Sequence, residues 1–166
     1  MNYIIRRRTK EDCFAISHVV TTSWNETYKG IVNDEFLNNL YNNEEERALK
    51  SFNNFDESNN HQFVLEVDKN VVGFIKVCES AEYSCCEIQA FYIINGYKGH
   101  GYGRMLFDTG VKELKEMGFD SMVIGCLEDN PTNEFYKHLG GKLFKKVLFK
   151  LPNQSINENI YFYGSI

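Results

Sequence analysis

A mixed α/β fold in a single domain is what the sequence predicts, on three observations. Hydrophobic periodicity switches repeatedly between strand-like and helix-like runs, in the order β-α-α-β-β-β-α-β-α-β-β. The 166 residues are enough for one sizeable core. No repeat, low-complexity tract or linker divides them. The polar stretch from Asn53 to Gln62 reads as a surface loop, because neither side alone carries the apolar residues for a separate core.

Each element has its own signal. The run "NYIIRRRT" reads as the first strand, and Thr9 with Asp12 three residues on resembles a capping box that opens a helix. Ile16, Val20, Trp24 and Tyr28 then fall on one helical face. A second helical region covers Asp34 to Phe52. "FVLEV" (Phe63 to Val67) and "VVGFIKV" (Val71 to Val77), joined by Asp68-Lys69-Asn70, read as a hairpin. "CCEIQAFYII" (Cys85 to Ile94) is a long strand. A stripe of Tyr102, Leu106, Gly110, Leu114 and Met117 predicts a helix ending at Gly118. "SMVIGCL" is a strand, and Asn130 followed by Pro131 has the form of an N-cap and first helical residue. That short helix closes at Gly140-Gly141. "KLFKKVLFKL" and "NIYFYGSI", the latter beginning at Asn159, are the last strands.

Composition narrows the function. Hydrophobic residues make up 43% and charged residues 25%, as in an ordinary globular protein. Twenty-three acidic against eighteen basic residues give a net charge of −5, and no basic block exceeds Arg6-Arg7-Arg8, which disfavours nucleic acid as a partner. No run approaches the ~20 apolar residues of a membrane helix, and the N-terminus lacks the apolar core of a secretory signal. The five cysteines form no C-x-x-C pair and no metal spacing, so reduced core cysteines in the cytoplasm, with no metal, are expected.

The informative stretch is "FYIINGYKGHGYGRML". Gly99, Gly101 and Gly103 stand between a strand and a helix. At such a junction the free N–H groups of the first helical turn and the positive end of the helix dipole favour an anion, and glycine lets the backbone approach phosphate closely. A Rossmann fingerprint fails, since the third glycine would fall on Arg104 or Leu106, and no Walker A pattern is present.

The loop instead resembles the GNAT superfamily of acyl-CoA-dependent N-acyltransferases, whose pattern is Q/R-x-x-G-x-G/A. Here it reads Lys98-Gly99-His100-Gly101-Tyr102-Gly103, with Lys98 where Gln or Arg is usual. "EDNPTNEFYKHLGGKLF" resembles the family's second signature, and "SWNETYKGIVNDEFL" the first-helix segment of a bacterial subgroup. The resemblance implies a GNAT-like fold and acetyl-CoA as cosubstrate. Backbone groups of Phe91, Tyr92 and Ile93 would pair with pantetheine, the N–H groups of Lys98 to Arg104 would hold pyrophosphate, and Asn130 would bond pantetheine while capping its helix. Tyr136 would protonate the leaving thiolate.

A base must free the acceptor amine of a proton. Glu87 is the first candidate: strict alternation would set Glu87, Gln89 and Phe91 on one face. Glu128 or a water relay is the fallback. His18 and His138 read as surface residues, and Trp24 and Tyr28 as cleft wall or core. The expected acceptor is a small primary amine or polyamine, drawn by the acidic run from Asn33 to Glu46, with a peptide amine as the alternative and a homodimer compatible with either. A different reading of the same features is a non-catalytic acyl-CoA sensor or interaction module.

Overall fold

The computed structural model describes all 166 residues. After β1 (Tyr3–Arg7), Asp12 reaches back to the Thr9 N–H, which donates to Oδ2 at 2.7 Å. This seats one 3-10 turn, Lys10–Asp12, ahead of α1 (Cys13–Tyr28). The two ends of α1 do different jobs. Ile16 and Val19 pack on Val64 and Phe74, whereas Trp24 and Tyr28 join Val32, Leu37 and Leu127.

The region from Asp34 to Phe52 forms two helices rather than one, α2 (Asp34–Asn42) and α3 (Glu44–Asn53). Asn33 Oδ1 caps α2 by accepting from the Phe36 N–H at 2.8 Å. The break falls at Asn43, which sits at φ −105°, ψ 10°. Asparagine competes for backbone hydrogen bonds, and Glu44, Glu45 and Glu46 in the next turn favour a new helix N-terminus there.

β2 (Gln62–Val67) and β3 (Asn70–Glu79) meet at a two-residue turn whose Asp68 and Lys69 both have positive φ, as a type I′ hairpin requires. β4 (Cys86–Ile93), α4 (Tyr102–Glu116), β5 (Met122–Leu127) and α5 (Thr132–His138) follow, then β6 (Lys142–Leu151) and β7 (Gln154–Tyr163). The last strand begins at Gln154, well before Asn159 where the apolar pattern starts. α5 starts at Thr132, one residue past the predicted Pro131.

All seven strands share one sheet in the order β1-β2-β3-β4-β5-β7-β6. Pairing is antiparallel throughout except between β4 and β5, which run parallel. The main core lies where α4 and α5 cover one face, with Leu65, Ile75, Leu106, Leu114, Met122 and Tyr161 wholly buried. Each such aliphatic side chain contributes roughly 1.5–3 kcal/mol through apolar burial. All five cysteines are free thiols, and all but the half-buried Cys78 are buried. No helix is long and apolar enough to cross a membrane.

Candidate active site

Between β4 and β5 the sheet opens. Parallel pairing is confined to Cys86, Glu87 and Ile88 against Met122, Val123 and Ile124. Beyond that point β4 stays with β3 through Ile93 while β5 stays with β7 through Leu127, leaving their facing edges unpaired. A bulge accompanies the split. Lys76 pairs with Ala90 but Val77 with Ile88, so Gln89 is an extra residue that bends β4 away.

The bulge also turns the strand over, which corrects the expected alternation. Phe91 and Ile93 lie on the face of Cys86 and Ile88, toward the main core. Ala90 and Tyr92 lie on the opposite face, toward α1, and Glu87 belongs with them rather than with Phe91.

At the mouth of the opening is the glycine loop. Gly99 and Gly101 adopt φ of +83° and +80°, the left-handed region that favours glycine. Gly103 is already helical. Lys98 N–H donates to Asn95 O, and the next main-chain bond comes from Met105 N–H to Gly101 O. The N–H groups of Gly99, His100, Gly101, Tyr102, Gly103 and Arg104 therefore have no main-chain acceptor. Lys98 and Arg104 add cationic side chains, Arg104 also pairing with Asp108 at 2.9 Å. The side chains of His100 and Tyr102 do not line the cavity: Tyr102 is buried against Tyr3, and His100 lies tilted beside Tyr102 with ring centroids 5.6 Å apart. Those two positions can offer only their backbone.

Behind the loop a cavity of about 680 Å³ runs along the opening. Tyr136 of α5 lines it and is 4% exposed. Phe91 and Phe135 stack beside it with ring centroids 5.9 Å apart. Burial pushes the Tyr136 phenol well above its ordinary pKa, reinforced by Cys126 and three neighbouring tyrosines. Unlike Tyr161 and Tyr163, which donate to Asn133 Oδ1 and Tyr136 O, it is not tied into the core by its hydroxyl.

The far wall is aromatic. Trp24 packs on Tyr28 with centroids 4.7 Å apart, and its indole N–H donates to Tyr92 Oη at 3.1 Å. Asn130 holds this wall: its Nδ2 donates to Tyr28 Oη at 2.8 Å, and its Oδ1 accepts from the Thr132 N–H at 2.9 Å. Each polar atom of Asn130 thus has one partner within the protein, leaving a second N–H on Nδ2 and a second lone pair on Oδ1. Ser23 Oγ, also in the lining, is buried without a partner.

Two carboxylates line the cavity, Glu87 and Glu158. Glu87 Oε1 accepts from the Cys78 thiol at 3.5 Å. Burial pushes the Glu158 carboxyl above the usual range, with the negative charges of Glu82 and Glu87 adding to the effect and no hydrogen bond opposing it. Glu128, the fallback base, points elsewhere. It is bound to Lys146 and to Asn157, and the Lys146 ammonium holds its pKa low. Glu44, Glu45 and Glu46 are absent from the lining as well, Glu44 instead meeting His18 at 3.2 Å. His18 and His138 are surface residues, as expected.

Residues 21–141 match the acetyltransferase (GNAT) family. The chain belongs to the GNAT family of acetyltransferases. It is 31% identical over 137 residues to the uncharacterized N-acetyltransferase YuaI of Bacillus subtilis (strain 168), spanning 80% of this chain and 76% of that protein. Its fold is that of the PaiA N-acetyltransferase of Thermoplasma acidophilum, solved in complex with coenzyme A, with a TM-score of 0.70 at 21% identity over 96% and 98% of the two chains. It is also that of YncA from Salmonella typhimurium, solved with its cofactor acetyl-CoA, with a TM-score of 0.67 at 19% identity over 98% and 94%.

Two site residues of this GNAT chain escaped the sequence reading. Asn133 is buried and its Nδ2 donates to Leu127 O, Glu128 O and Asn130 O, fixing the loop between β5 and α5. Glu158 was passed over because the apolar pattern of β7 begins one residue after it.

Proposed function

We propose that this GNAT chain moves the acetyl group of acetyl-CoA to a small primary amine by direct attack, with both substrates bound together. The observation that carries this reading is the run of free N–H groups from Gly99 to Arg104 at one end of an unpaired strand edge. A diphosphate suits the N–H run, and an extended amide-bearing arm suits the edge of β4, where Phe91, Tyr92 and Ile93 offer backbone groups as another strand would. A backbone N–H near Ile93, aimed at the thioester carbonyl, would stabilise developing negative charge by about 3 kcal/mol.

Acetyl-CoA supplies the activated acetyl group; the chain's own residues handle protons and position. Burial keeps the Tyr136 phenol protonated, the form needed to donate to a leaving thiolate. A covalent cysteine route is poorly supported. Cys126 lines the cavity, but burial pushes its thiol up to about 12, far from the thiolate a nucleophile requires. On the α1 side, Trp24 and Tyr28 form an apolar wall and Glu87 and Glu158 supply negative charge, a combination suited to an alkyl ammonium. These two carboxylates take over the role expected of the acidic run from Asn33 to Glu46.

The test is a panel of spermidine, a simple alkyl monoamine, free amino acids and a peptide N-terminus, incubated with acetyl-CoA. Free thiol and N-acetyl product are measured by colorimetry and mass spectrometry. At least one amine should give saturable thiol release matched by product. Saturable acetyl-CoA binding with no thiol release for any acceptor would instead favour a sensor on the same fold.

A further inference from the structure

We infer that Glu158, rather than Glu87, accepts the proton from the acceptor ammonium, and that residue 125 is glycine in order to seat the Glu158 carboxylate beside the opening. The inference rests on the proposed transfer to an amine and deepens it.

Position along the sheet separates the two carboxylates. Glu87 pairs with Val123, inside the closed part of the β4–β5 contact. Glu158 pairs with Leu127 on the neighbouring strand, level with the stretch from Gly125 to Leu127 that β4 has abandoned. Glu158 therefore stands beside the gap and Glu87 beneath its apex.

Gly125 makes the seat. In β5 it is the one residue exposed, and it faces the cavity between buried Ile124 and Cys126. A Cβ built there would overlap Glu158 Oε1 and lie 2.9 Å from its carboxyl carbon. Its φ is not in the left-handed region, so backbone conformation does not require glycine here. A Cβ there would instead push the end of the Glu158 side chain out of this seat.

The surroundings suit a proton acceptor. Glu87 already receives the Cys78 thiol, whereas Glu158 is opposed by no hydrogen bond or cation. Tyr28, Tyr92 and Cys126 face it, and burial keeps all three protonated. Glu82 adds negative charge, and the nearest lysine to that residue, Lys145, is 3.8 Å from Glu82 and over the Tyr83 ring. A carboxyl pushed upward under these conditions is a stronger base than a solvated glutamate.

The proton count closes. The ammonium gives one proton to Glu158, which passes it to solvent, and the neutral nitrogen forms the C–N bond. The C–S bond breaks, and Tyr136 protonates the sulfur. The nitrogen loses its second proton, which restores the phenol through solvent. Net, one amide, one thiol and one free proton leave per turnover.

The experiment compares Glu158→Gln, Glu87→Gln and Gly125→Ala, using the panel amine with the highest kcat/KM. Glu158→Gln should lower kcat on the order of 10²-fold and remove the acid limb of its pH profile. Glu87→Gln should keep that limb but move it to lower pH, because a negative charge beside Glu158 is gone, and should raise KM for the amine. Gly125→Ala should reduce kcat while acetyl-CoA affinity holds. Wild-type kcat with an unchanged acid limb in Glu158→Gln, or loss of the limb in Glu87→Gln, would overturn the assignment.

A second measurement needs no acceptor. In protein labelled with carbon-13 at the glutamate carboxyls, the signal missing from Glu158→Gln should titrate above the exposed glutamates and move down in Glu87→Gln. A signal titrating with the exposed glutamates overturns the inference. Failure of every amine in the wild type would count against the transfer reading alone.

Discussion

Replacing Gly101 with alanine tests the proposed phosphate cradle while adding almost no bulk. Gly101 sits at φ +80°, and a Cβ there would meet no atom within 4 Å, so any effect comes from backbone conformation. An L-residue held in the left-handed region costs about 1–2 kcal/mol. That cost must appear in one of two places. If the loop keeps its shape, the strain lowers Tm by roughly 2–8 °C for a chain of this size. If the loop relaxes, the N–H groups from Gly99 to Arg104 disperse. Affinity for CoA then falls by a comparable free energy, about 5–30-fold.

Gly103 is the control. It is helical, and its Cβ would lie 3.7 Å from the Phe135 ring, an ordinary contact. Gly103→Ala should therefore preserve Tm and leave CoA affinity within about twofold, since alanine also favours the helix. Titration calorimetry with CoA and thermal melts read both quantities. The reasoning fails if Gly101→Ala changes neither, or if Gly103→Ala is the more damaging of the two.

Tyr136→Phe should leave CoA affinity intact and lower kcat on the order of 10²-fold, measured by calorimetry and thiol release; full activity would make the tyrosine a packing residue. Glu158→Gln should raise thermal stability at pH 8, by on the order of 1–3 °C, with the gain vanishing near pH 4. The direction follows from the raised Glu158 pKa: the protonated carboxyl is favoured in the fold, so its contribution is complete below about 4.3, the unfolded value, and is lost as pH climbs through the folded one. Melts at the two pH values decide it, and a stability loss at pH 8 would contradict a desolvated, unpaired carboxylate.

Much of the fold was legible because its signals are local. The capping contact of Asp12, the Asp68-Lys69 turn, the α4 stripe and the glycine junction each depend on residues within a few positions of one another. Through resemblance to a family, the sequence also pointed to Tyr136 and the loop, both of which line the cavity. What stayed hidden depends on register between distant segments. The bulge at Gln89 is defined by its pairing with β3, and nothing in "EIQAFYI" marks it. That single residue reversed the face of Phe91 relative to Glu87. Glu158 was hidden for a related reason: the first half of β7 is polar, with Ser155 and Asn157 exposed, so it lacks the alternation that marks a strand.

The same bulge would let one acidic chain serve both acetyl-CoA and the cationic amine proposed above. A net charge of −5 would repel CoA if charge acted as an average. It does not, because fields near a cleft are set by the groups lining it and exposed charges beyond about 8 Å are screened at physiological salt. By bending β4 away after Ile88, Gln89 opens a passage with unlike ends. The α4 end presents free N–H groups, Lys98 and Arg104; the α1 side presents Glu87 and Glu158 between aromatic walls. Deleting Gln89 would make Lys76–Ala90 and Val77–Ile88 consecutive pairs, close the bulge with Phe91 and Ile93 still on the core face, and let β4 approach β5. The passage between its two ends would close, although neither the glycine loop nor Glu158 had been touched.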